Sequence, residues 1–308
     1  MSELNNPGCV LIVGANTGVP GCTFAPEKFV GAILVPRNFI IADADIPSII
    51  SKLQELTLAS KANRIYPVFR FEEISDNSEE PSIATLGYGS KQVTKEGKYD
   101  WTFRIIQGGL CYQNKLRAFN KSNMKVLFID AEDVIYGTRV SGGLAGLSLD
   151  FFYASPFKAN DASNSAIFNV RFALSKPREF NEDVAFVKAD QDVEEAVKGV
   201  IDIELVQLAV AANSVTVGLR TACDKVNLFD SLSAPIADGN LWLVTKNGAP
   251  VTITGVSENA GLKGWNVLFT GTGEHVITLV SPEELAAVEV GGAPENGFEA
   301  GTLKVTMP

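Results

Sequence analysis

Three stretches of this 308-residue chain carry residue types that could do chemistry. The first is VLIVGANTGVPG, Val10 to Gly21, where Gly14, Gly18 and Gly21 follow an apolar run. Glycines after a strand let a backbone approach a pyrophosphate, provided that a helix then starts and offers its free N–H groups to the charge. The next segment, CTFAPEKFVGAILVP, is broken by Pro26 and Pro36 and lacks a helical period of roughly 10–12 residues. Asp43, in FIIADAD, lies farther from the glycines than the roughly 20 residues at which a ribose-binding acid is expected. The pattern favours a strand and loop shaped by glycine and proline over a dinucleotide cradle.

The second is His275, the one histidine, in GTGEHVITLV. An acyl-transfer base needs a nucleophile, and no G-x-S-x-G elbow accompanies it, so an exposed histidine at a strand start is the expectation. The third is the acidic DQDVEE, Asp190 to Glu195, which reads as a solvated connector with a helical turn rather than a cation site. No H-E-x-x-H, EF-hand or P-loop pattern occurs. Cys9, Cys22, Cys111 and Cys223 form no C-x-x-C pair and read as buried thiols, with a Cys9–Cys22 disulfide as the alternative. These readings expect no catalytic residue, no cofactor and no metal, and hence no enzyme.

Composition sets the frame for these side chains. A hydrophobic fraction of 46% and a charged fraction of 20% supply real cores. The net charge is −10, and the part from Asn213 onward, with 5 basic and 10 acidic residues, is as acidic as the rest. A protein that grips nucleic acid needs cations to displace phosphate counterions, so a grip on DNA is not expected. An acidic wall that lets DNA pass without sticking is compatible with the charge. The start, MSELNNPGCVLIV, lacks the basic residues and apolar length of an export signal, and no membrane span is expected, which points to a protein made in the cytosol.

Two helices and many strands should position these residues. IPSIISKLQELTLAS predicts a helix over 46–60, with Asp45 as N-cap and Pro47 in its first turn, and QNKLRAFNKSN predicts a shorter one over 113–123. YPVFRFEEI, YDWTFRIIQG, MKVLFID, DVIYGTR, LSLDFFYA, AIFNVRFALS, DVAFVKA and VIDIELVQLAV read as strands, with Phe151 and Tyr153 grouped among the half-buried aromatics. Between two of them lies a polar insertion, residues 72–100, whose charge changes sign from Glu79 and Glu80 to Lys91 and Lys95, so that it could pair with another copy. From Asn213 the texture becomes short Val- and Thr-rich strands separated by turns, with Asn247-Gly248 as a tight hairpin and Trp242 and Trp265 as strand or core residues. The expected fold is mainly β with minor α: an antiparallel β-sandwich or barrel-like first domain (1–212) with one main helix, then a small immunoglobulin-like β-sandwich (213–308).

The helix 46–60, the arm 72–100 with its following WTFRIIQGG, the helix NKLRAFN and the strands from Met124 to Ser175 together resemble the tail tube (major tail) proteins of long-tailed bacteriophages. The C-terminal part resembles the immunoglobulin-like modules appended to phage virion proteins. The resemblance implies a structural virion protein in stacked, commonly hexameric rings through which DNA passes, located in the tail. Its partners would be other copies, other virion proteins and unbound passing DNA, with no membrane. It also implies an inter-subunit arm, for which Glu79, Glu80, Tyr88, Lys91 and Lys95 are the candidate residues. The alternatives are a capsid decoration or head-fibre protein and, from another class, a nucleotide-binding enzyme using Gly14, Gly18 and Gly21.

Overall fold

The computed structural model describes residues 4–5, 28–120, 122–160, 167–287 and 297–308. The glycine loop at 10–21 lies outside them, as do Cys9 and Cys22. The chain is mainly β and divides into two compact units, 1–57 with 61–197, and 58–60 with 198–308. The division falls before Asn213 because the strand Ile201–Ala211, which the sequence boundary assigned to the first domain, pairs along its length with Ser214–Thr221.

The first unit contains β1 (Leu4–Asn5), β2 (Phe29–Pro36), β3 (Ile40–Ala42), α1 (Ile49–Leu58), β4 (Tyr66–Phe69), β5 (Phe71–Asp76), β6 (Ser82–Thr85), β7 (Lys91–Lys95) and β8 (Asp100–Ile105). It continues with α2 (Gly109–Arg117), β9 (Met124–Asp130), β10 (Val134–Val140), β11 (Gly143–Ala145), β12 (Leu147–Ala154), β13 (Phe168–Leu174), α3 (Pro177–Asn181), β14 (Val184–Lys188) and α4 (Val193–Ala196). All strands but β6 and β7 join in one antiparallel network.

Three layers result. Strands β2, β4, β9 and β10 form a central sheet buried on both faces, which is why FVGAILVP and MKVLFID are continuous apolar runs rather than alternating ones. Ala32, Leu34, Val126 and Phe128 face an aromatic core shared with β5, β8, β12 and β13. Ile33, Val35, Leu127 and Ile129 face the opposite way, into a second core closed by Ile46, Ile49, Ile50 and Leu53. Strand β12 belongs to both sheets, pairing with β9 through Leu147 and with β13 beyond a bulge between Leu149 and Phe151. That bulge resets the alternation: Phe152 and Ala154 enter the core, while Phe151 and Tyr153 stack on the outer face with ring centroids 5.8 Å apart.

Local chemistry sets the element ends. The predicted helix begins as a 3-10 turn, Asp43–Ser48, before α1. Asp45 is not its N-cap. The helical run starts at Asp43 with Ala42 in the N-cap position, so Asp45 already lies inside its first turn. The helix α2 starts earlier and ends earlier than its sequence pattern, since Gly108 and Gly109, both at positive φ, turn the chain directly out of β8. YPVFRFEEI is two strands instead of one: Arg70, at φ 69°, switches the chain from the central sheet to the outer one. Its guanidinium is held by Gln107 Oε1 at 2.8 Å and Glu194 Oε1 at 3.3 Å.

The second unit contains β15 (Ile201–Ala211), β16 (Ser214–Thr221), α5 (Phe229–Ile236), β17 (Trp242–Lys246), β18 (Ala249–Val251), β19 (Ile253–Asn259), β20 (Gly264–Phe269), β21 (Gly273–Leu279), α6 (Pro282–Ala287), β22 (Phe298–Ala300) and β23 (Leu303–Met307). One sheet runs β19-β20-β16-β15-β22 and the other β18-β17-β21-β23. Leaving out β22, which pairs in parallel with β15, these are the D-E-B-A and C′-C-F-G orders of an immunoglobulin sandwich. Trp242, on the C-equivalent strand, is buried and donates its indole N–H to the Ile236 carbonyl at 2.7 Å. Trp265 is buried beside it, and Val217 and Ile277 join the same apolar core. Asn247 (φ 51°) and Gly248 (φ 80°) make the expected tight hairpin between β17 and β18.

Two expectations are corrected here. His275 is wholly buried rather than exposed, because it occupies an inward position of β21, in register with Ile277 and against the Phe269 ring at 5.1 Å. Cys111 and Cys223 are not thiols but disulfide-bonded, since pairing depends on proximity in the fold and not on spacing along the chain.

Candidate functional site

The insertion at 72–100 is a β-hairpin that leaves the body of the first unit. Its lower part is the pairing of β5 with β8, and the ladder continues beyond it through Asn77 N–H to the Asp100 carbonyl (2.8 Å) and Glu79 N–H to the Lys98 carbonyl (2.9 Å). Gly97 is needed at this level: a Cβ there would lie 2.0 Å from the Glu79 carbonyl oxygen. Above it, β6 and β7 pair, among the described residues, only with each other and close through the turn Leu86–Ser90, where Tyr88 takes φ 68°.

No residue of β6 or β7 is buried. Ile83 and Val93 oppose each other across the ribbon and remain 59% and 54% exposed, Leu86 is 48% exposed, and the Tyr88 ring at the tip is fully exposed. A two-stranded ribbon with no core beneath it is marginally stable in water. Together these side chains form an exposed apolar strip of the kind that marks a candidate interaction surface.

The five predicted arm residues all lie on this hairpin, but they do not act together. Lys95 Nζ bonds Glu79 Oε2 at 2.7 Å within the chain, and that ammonium holds the Glu79 carboxyl below the usual carboxylate range. Lys98 reaches Asp150 at 3.2 Å. Part of the sign change along the arm is thus consumed internally, as a brace at the hairpin base. Glu80 and Lys91 make no ion pair among the described residues, and Tyr88 stands alone at the tip.

Beside the base lies a cavity of about 670 Å³ lined by Asp76, Glu79, Glu80, Glu96, Tyr99 and Asn181, among others. The Tyr99 hydroxyl donates to Asn181 Oδ1 there, and partial burial raises the phenol's pKa. Next to the hairpin, β5 ends the strand order of its sheet, so that among the described residues its outer edge, with Glu72 and Glu73, has no strand beside it. Charged side chains along an edge strand discourage indiscriminate pairing with other chains.

Sequence reasoning marked the insertion but did not single out Ile83, Leu86 and Val93, its exposed apolar residues. The signal was present: SIATL places branched apolar residues inside an otherwise polar insertion.

The other candidate chemistry disperses. Among the described residues, no three His, Cys, Asp or Glu side chains converge as a metal-ligand set. In DQDVEE, Asp192 caps the short α4 by accepting from Glu195 N–H at 2.9 Å, and Val193 N–H donates to Asp133, so the segment is a braced connector. His275 Nδ1 lies 3.0 Å from the Gly273 carbonyl, and Nε2 is buried with no partner among the described residues. No helix among the described residues is long and apolar enough to cross a membrane. No protein-family model matches the chain, and no curated protein sequence matches it.

Proposed function

We propose that this chain is a structural virion protein of the tail-tube kind, which assembles with copies of itself and catalyses no reaction. The observation that carries the reading is the hairpin from Asn77 to Tyr99. It is a ribbon standing off the body, stiffened at its base by Glu79–Lys95 and apolar at Ile83, Leu86, Tyr88 and Val93, which stay exposed among the described residues. The edge of β5 beside it, unpaired among the described residues, offers a second joint made of main-chain hydrogen bonds.

The remaining features fit this role. A three-layer body with two cores is a stiff building block, and the immunoglobulin-like unit adds a separate module. The charge of −10 repels phosphate and keeps a passing DNA from adhering. Disulfides at Cys111 and Cys223 suit a particle that persists outside the reducing cytosol.

Sedimentation velocity across a concentration series, with negative-stain imaging of the heaviest fraction, tests the reading. Rings or tubes of regular diameter are expected. A single chain at every concentration, or stoichiometric nucleotide binding by that single chain, overturns it.

A further inference from the structure

The tight turn at Asn247-Gly248 carries chemistry as well as shape. The main-chain nitrogen that follows an asparagine lies within reach of its side-chain Cγ, and attack there closes a cyclic imide. Three conditions govern the step: the following residue must leave room for the approach, its N–H must be free, and the carboxamide must be free to turn. Asn247 meets all three.

Gly248 has no Cβ, and nothing lies within 4 Å of where one would stand. In a two-residue turn with both central residues at positive φ, the ladder bonds run between the flanking pair, here Lys246 and Ala249, so the Gly248 N–H takes no part in them. Asn247 is exposed, and its carboxamide makes no hydrogen bond among the described residues. Three other asparagines of the same unit are held instead. Asn227 accepts from Phe229 N–H at 2.8 Å, Asn259 from Leu262 N–H at 3.1 Å, and Asn266 from the Thr216 hydroxyl at 2.7 Å. Each is followed by a residue with a Cβ, namely Leu228, Ala260 and Val267.

We infer that Asn247 is a site of spontaneous covalent modification, converted through the imide to aspartate and isoaspartate. The Gly248 nitrogen gives its proton to solvent and bonds to Asn247 Cγ; the Cγ–Nδ2 bond breaks, and the side-chain nitrogen leaves as ammonia. Water then adds to one of the two imide carbonyls. Cleavage between Cγ and the Gly248 nitrogen gives aspartate. Cleavage at the main-chain carbonyl gives isoaspartate, whose main chain runs through Cβ and Cγ. The conversion needs only water, and it stands apart from the assembly reading above.

The position of the turn gives the product its effect. Isoaspartate lengthens a main chain whose two-residue span matches the twist of its strands. Strand β18 is held to β17 through Ala249, Pro250 and Val251, and Pro250 has no N–H to give. Since β18 ends the strand order of its sheet, β17 is its only strand partner among the described residues. Conversion therefore lets β18 part from β17 and uncovers the β17 edge, a slow and one-way change.

Incubation of the full chain in mildly alkaline buffer, followed by peptide mapping with mass spectrometry, tests the site. Asn213 is the internal reference, exposed at the turn between β15 and β16 but followed by Ser214. Asn247 should gain the mass of an amide exchanged for an acid about tenfold faster than Asn213, because its neighbour lacks a Cβ. Equal rates, or an Asn247 that stays intact, overturn the inference.

Hydrogen exchange reads the consequence. In the isoaspartate fraction the amides of Ala249 and Val251 should exchange faster than in the fresh chain. Freshly purified Asn247→Asp, which adds the charge without lengthening the main chain, should match the fresh chain. Unchanged exchange in the isoaspartate fraction, or equally fast exchange in Asn247→Asp, overturns the release of β18 by a lengthened turn while leaving the modification itself intact.

Discussion

Replacing Ile83 and Tyr88 together by serine separates a surface that serves the fold from one that serves assembly. In the isolated chain Tyr88 is fully exposed and Ile83 is 59% exposed, so their removal should change folding stability by no more than about 0.5 kcal/mol. Covered by a second copy, the same groups count. A tyrosine that buries about 150 Å² contributes roughly 4 kcal/mol at ~25 cal/mol per Å², and the exposed part of an isoleucine adds about 1 kcal/mol. Halving the sum for incomplete cover leaves about 2.5 kcal/mol per contact, a shift of roughly 70-fold in association. Sedimentation velocity over a concentration series reads the association, and a thermal melt of the same samples reads the fold. An association shift below about threefold with an unchanged melt would refute the argument that the hairpin is an assembly element. A melt lowered by many degrees would show that these residues support their own chain instead.

Three further outcomes concern the interior and the surface. Asp130 is buried and accepts from the amides of Glu132 (2.9 Å) and Val134 (3.0 Å) and from the Tyr136 hydroxyl. Asp130→Ala, which strips all three donors of their acceptor, should cost about 3 kcal/mol in denaturant titration, and a loss under 1 kcal/mol would contradict the assignment. Glu204 bonds Arg220 and Lys225, which depress its pKa to about 2. A depressed folded pKa gives stability that is complete above the unfolded value of 4.5 and is lost as pH falls toward 2. Glu204→Gln should therefore flatten the pH dependence of melting in that window, and an unchanged slope would count against the pair. Finally, a reductant should lower the melting temperature by opening the bonds at Cys111 and Cys223, at about 2–5 kcal/mol for each structural disulfide, and identical melts with and without it would exclude a structural role.

The parts of the fold legible in the sequence were those where one rule acted alone. Alternation through Trp101, Phe103 and Ile105 identified a strand with one wet face, and the apolar spacing of Ile46, Ile49, Ile50 and Leu53 identified the helix face that closes a core. Asn247-Gly248 fixed its hairpin because both positions need positive φ. Illegible parts were those where a local rule yields to a distant contact. Nothing in YPVFRFEEI announces that Arg70 turns left-handed, because the groups that hold it, Gln107 and Glu194, are far along the chain. Phe151 and Phe152 exchange faces through a bulge that only the pairing with β13 reveals. His275 looked like a surface residue because its burial depends on the whole sandwich closing over it. The arm itself was legible as a long polar insertion; its apolar pair became visible only once Ile83 and Val93 were seen in register.

The paired strands above Gly97 have no packed layer behind them, whereas β2 and β9 are clamped between two cores. Bending stiffness grows steeply with thickness, so a filament joined through such ribbons would concentrate its compliance at the joints and spare the blocks between them. Curvature would then cost little elastic energy, and strain imposed from outside would be taken up by the spokes before any buried side chain had to move.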